Sequence, residues 1–100
     1  MQFYQGDLLF EQVPGVPAGA MMVGIGRSHV LAEGEATGHA HTIDDCDLHE
    51  LNGVLYVNLT TGPRQVKHQE HDPITLTPGT WRVGRQREWS SEHAARQVVD

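Results

Sequence analysis

The chain has one cysteine, Cys46, so no disulfide can form within it, and that usage fits a reducing compartment. It has no apolar run near the roughly 20 residues that a membrane-spanning helix needs. Its start, MQFYQGDLLF, lacks the basic and apolar regions of a secretory signal. A cytoplasmic protein with no membrane attachment is expected. Basic residues are few: seven Lys and Arg stand against 13 Asp and Glu, for a net charge of −6. Phosphate backbones are held by clustered Lys and Arg, and the one short basic patch is Arg82, Arg85 and Arg87. Nucleic acid is therefore not a favoured partner.

Several chemical signatures are missing as well. Ser28, Ser90 and Ser91 lie in no G-x-S-x-G elbow. Gly24-x-Gly26 lacks the third glycine of a dinucleotide loop, and Asp44, Asp45 and Asp47 lack the spacing of a calcium loop. No segment keeps a helical apolar period for three turns.

What is present is punctuation. Eleven glycines and five prolines break the 100 residues into short runs rich in Val, Ile, Leu and aromatics. That pattern predicts one all-β domain over residues 1–100, a small antiparallel β-barrel or sandwich. Expected strands are Asp7–Val13, Met21–Ile25, Ser28–Glu35, Arg64–Glu70, Ile74–Thr77 and Trp81–Trp89. A helical turn is expected over Glu92–Arg96, and a terminal strand at Val98-Val99. The sharpest local signal is Asn52-Gly53, which suits a type I′ hairpin turn. A two-residue loop sets Leu51 opposite Val54, His49 opposite Tyr56 and Leu48 opposite Val57.

Seven histidines match the count of Lys and Arg together. Gly38-His39-Ala40-His41 places two imidazoles on one side of an extended segment, where both can reach one ion. His68-Gln69-Glu70-His71 supplies a second pair beside the turn at Asp72-Pro73. A shuffled chain of this composition yields about half an H-x-H by chance, so the argument rests on having two pairs. The candidate ligands of one transition-metal ion are thus His39, His41, His68 and His71. Zinc is the first expectation, since it accepts such sites without redox demands; nickel, copper and ferrous iron also suit imidazoles. Glu33, Glu35 and Glu70 are candidate outer partners that would orient the rings, or ligands themselves. His29, His49 and His93 read as surface or core histidines.

At these residues the chain resembles a family of small uncharacterised bacterial proteins. They carry Gln-Gly-Asp-Leu-Leu, Gly-His-x-His, His-x-x-His and Arg-Gln-Arg-Glu-aromatic, here Gln5–Leu9, Gly38–His41, His68–His71 and Arg85–Trp89. The resemblance implies no activity. The chain is more weakly similar to cupins, whose H-x-H on a barrel strand supplies metal ligands. That likeness implies a cupin-like barrel. Cupins usually add a Glu shortly after the H-x-H, and a later His after a Pro-x-Gly turn. Here Asp44 and Asp45 stand in place of the Glu, and Pro78-Gly79 follows His71.

Cys46 could be a soft ligand, but it lies among carboxylates that raise a thiol's pKa, so it reads as an exposed, inert thiol. Alternation puts Trp81, Arg85, Arg87 and Trp89 on one face, a candidate protein-contact edge for a homo-oligomer or a larger partner. The leading functional reading is a metal-binding domain that works by binding, as an accessory subunit or adaptor. A small metalloenzyme with a three-histidine site is the alternative. A metal-free oligomeric structural protein, with histidines as proton-sensitive contacts, is the third.

Overall fold

The computed structural model describes residues 1–33 and 38–85. They form eight strands: β1 (Gln2–Gln5), β2 (Leu8–Val13), β3 (Met21–Glu33), β4 (Ala40–Leu51), β5 (Val54–Leu59), β6 (Arg64–Lys67), β7 (Ile74–Leu76) and β8 (Gly79–Arg85). The strands join in the order β1-β2-β8-β5-β4-β6-β7, with β3 added on β4. Every pairing is antiparallel, and the sheet curls into a nearly closed barrel. The expected all-β class holds.

The hairpin at Asn52-Gly53 has the expected register, with Leu51 against Val54, His49 against Tyr56 and Leu48 against Val57. Both turn residues have positive φ, 53° and 81°, as a type I′ turn requires. Strand β4 reaches much further back than that hairpin arm. Its Asp47–Leu51 part pairs with β5, while Thr42 and Ile43 pair with β6. Between the two ladders Asp45 adopts φ 55°, and β4 thereby changes partner and turns the corner of the barrel.

Alternation along the strands fills the interior. Leu8, Phe10, Ile43, Val57, Val66, Leu76 and Trp81 are fully buried, and Phe3 lies against the Trp81 ring at 5.6 Å. The indole Nε1–H of Trp81 donates to the Thr77 carbonyl at 2.9 Å, so burying it leaves no donor unpaired.

Four expectations change here. The run Met21–Ile25 and the described part of the run from Ser28, as far as Glu33, are one 13-residue strand, whose register against β4 shifts around Gly24 and Arg27. At Gly24 the His29 ring occupies the space where a Cβ would stand, so glycine lets the strand carry a buried histidine whose Nε2 donates to the Cys46 carbonyl. Strand β1 had no sequence expectation: four residues with Gln at both ends do not look like a strand. Strand β6 ends at Lys67, short of Glu70. Trp81, expected at a contact edge, is core. Strand β8 has ladders on both sides, with β2 and β5, and its Trp81 and Val83 point inward. Alternation was read correctly there, but it marked the inner face. Arg87, Trp89, the helical turn at 92–96 and Val98-Val99 lie outside the described residues, as does Glu35.

Candidate metal centre

Strand β4 begins at Ala40, with His39 just before it and His41 just inside. Strand β6 pairs with β4 at Thr42↔Lys67, so His68, the next residue, falls beside His41. The turn after β6 then brings His71 back over the β1–β2 hairpin. The ring centroids stand at 4.4 Å for His41–His68, 4.7 Å for His68–His71, 5.7 Å for His39–His68 and 6.5 Å for His41–His71. Two pairs separated by 26 residues of chain therefore make one cluster.

His41 is held from behind by Gln5, a residue that no sequence motif singles out. Gln5 is buried, and its Nε2 donates to both the Val66 and Asp72 carbonyls at 2.9 Å. Those two bonds fix the amide orientation, so Oε1 is the acceptor for His41 Nδ1 at 2.8 Å. His41 thus carries its proton on Nδ1, and when neutral it keeps the lone pair on Nε2. Burial, followed by the neighbouring His68, lowers the His41 pKa to about 4; His71 and Arg85 act the same way, against Asp7. His41 is a neutral base at physiological pH, the state that a metal ligand needs.

His68 is held differently. Its Nδ1 accepts the Glu70 N–H at 3.0 Å, which puts the proton of the neutral ring on Nε2. Burial and the charges of His71 and His39 lower its pKa, against Glu70. His39 Nδ1 lies 3.5 Å from a Glu70 carboxylate oxygen. The Gln69 amide oxygen accepts the Ala40 N–H at 2.9 Å and ties the two histidine segments together. The Glu33 backbone carbonyl accepts from Arg85, whose guanidinium also lies 3.5 Å from Asp7. Arg85 is half-buried and acts electrostatically on His41.

His71 rests over Gly6. A Cβ on Gly6 would stand 2.9 Å from His71 Nε2, and Gly6 has φ 63° at the first position of the β1–β2 turn. Gln5, Gly6 and Asp7 all belong to the Gln-Gly-Asp-Leu-Leu segment. That motif and the histidines are parts of one structure.

Residues 4–86 match the family described as Domain of unknown function (DUF8820). The chain belongs to the DUF8820 family. The match runs from Tyr4, through the hairpin that holds Gln5 and Gly6, to the end of β8, and so includes all four clustered histidines. No curated protein and no solved structure matches the chain.

The fit of a metal to this DUF8820 cluster is partial. Among the described residues, no group of three or more His, Cys, Asp or Glu side chains is arranged as it would be around a bound ion. The His68 tautomer gives a reason. A nitrogen accepting the Glu70 N–H cannot also bind a metal, and the other nitrogen then bears hydrogen. His68 becomes a ligand only after giving up that bond, whereas His41 needs no change. Cys46, expected to be exposed, is instead buried because its side chain falls on the inner face of β4; burial, followed by Asp47, pushes its thiol up to about 11 and disfavours the reactive thiolate. A polar cleft of about 320 Å³ between Asp45, Asn58, Thr60 and Arg64 shares no residue with the histidines.

Proposed function

We propose that this domain binds one transition-metal ion, zinc being the expected occupant, through His39, His41, His68 and His71. In this reading it works by binding, as an accessory subunit or adaptor. The supporting observation is the gathering of the His39, His41 and His71 rings around His68, with the His41 Nδ1–H fixed on the Gln5 amide. Ligating histidines characteristically donate their second ring nitrogen to such an oxygen, which sets the tautomer and raises ligand basicity. Clustering also favours neutral rings, because each added proton repels the next. His68 joins as the fourth ligand when its ring turns away from the Glu70 N–H.

The test is calorimetric titration of zinc into the untagged, metal-stripped chain, with elemental analysis of the untreated protein. One equivalent is expected, with about 10- to 100-fold weaker binding after Gln5→Leu. His41→Ala should abolish binding. An untagged chain that takes up no zinc, nickel, copper or ferrous iron refutes the reading. The metalloenzyme alternative needs a coordination position left open to solvent. Displacement of a metal-bound water by a small anion in the cobalt-substituted protein would favour it.

A further inference from the structure

Strand β3 leaves one side unpaired: among the described residues it pairs with β4 alone. Along that open edge, at its start, four apolar side chains face water. Met21, Met22, Val23 and Ile25 are between 47 and 69 % exposed. Together they present on the order of 400 Å² of apolar surface, as much as the largest patch on a typical monomer. Long open edges with apolar side chains are templates for pairing, and proteins commonly guard them with Lys or Pro. The segment Met21–Gly26 contains neither, nor any charge.

We propose that Met21–Ile25 is a self-association edge, on which two copies of this chain pair antiparallel about a twofold axis at Val23. The register argues for a second copy. With Val23 opposite Val23 of the second copy, Met21 meets Ile25 and Ile25 meets Met21. Arg27 then falls opposite Gly19, outside the strand, so no like charges face each other. Centring on Arg27 would oppose two guanidiniums, and centring on Gly24 would set Met21 against Arg27. A standard interface buries about 800 Å² per partner. The apolar patch supplies about half of that, and backbone pairing along the strand adds to it. The two sheets become continuous through their β3 strands, an isologous closed pair.

Sedimentation velocity of the full chain tests this at micromolar and higher concentrations. The wild type is expected at twice the chain mass, and Val23→Lys at the mass of one chain. Val23 is half exposed, so the far-UV spectrum and melting of Val23→Lys should match the wild type. A second variant does not depend on that substitution: Val23→Cys should form an intermolecular disulfide under mild oxidation, while Arg27→Cys should not. A wild type that stays monomeric, a Val23→Lys chain that still dimerises, or equal cross-linking through both cysteine variants would overturn the proposal.

Discussion

At the scale of single residues, Gln5 has the largest consequence for its size. One amide satisfies two backbone carbonyls and one imidazole in a buried position. Gln5→Leu keeps the volume but removes all three bonds, and each unsatisfied buried group costs about 1–3 kcal/mol. A loss of roughly 3 kcal/mol in urea unfolding is expected. A loss under 1 kcal/mol would show that water replaces the amide. His41 predicts a pH dependence for the metal-free protein. Its folded pKa is depressed to about 4 from 6.5, so between these values the unfolded chain binds a proton that the folded chain refuses. Stability is then full above pH 6.5, falls as pH drops through that window, and levels off near pH 4. His68, lowered in the same direction, steepens the fall. Urea midpoints between pH 7.5 and 4.5 measure it, and a flat profile would contradict the burial of a neutral His41.

At the scale of elements, legibility followed how local each determinant is. The Asn52-Gly53 hairpin was readable to the residue because two backbone angles set its register. The inner face of β8 was visible as alternation, but which side of the sheet it faced depends on β2 and β5, distant in sequence. The two histidine pairs could be named from spacing, and their meeting depends on β4 pairing with β6. Gln5 could not be found that way. A glutamine near the N terminus carries no chemical signal until the β1–β2 hairpin places it behind His41. The clue lay in the Gln-Gly-Asp-Leu-Leu segment itself, whose glycine has positive φ and lies under His71. Gly6→Ala tests that hairpin as a unit. An L side chain in the left-handed region costs about 1–2 kcal/mol, and here its Cβ also displaces His71. A stability loss of roughly 1–3 kcal/mol is expected, with weakened metal binding. Full retention of both would detach the hairpin from the site.

At the scale of the molecule, a 100-residue barrel has a modest stability reserve, so anything that binds only its folded form shifts unfolding measurably. The proposed ligands come from two parts of the chain, the start of β4 and the turn after β6, that the unfolded state does not hold together. A bound ion cross-links them. Free metal at about 100 times Kd adds about 2.7 kcal/mol, which for a domain of this size raises the melting temperature by roughly 10–20 °C. The increment should vanish with a chelator and in His41→Ala. It should shrink toward pH 4, where a proton competes with the metal for His41 in the folded, unbound state. Differential scanning calorimetry with and without zinc measures it. Equal melting temperatures under saturating zinc and under chelator, in a chain that binds one equivalent, would place the ion outside the folded cluster. The four histidines would then be a polar end of the barrel, with His41 held by Gln5 and His39 and His68 next to Glu70.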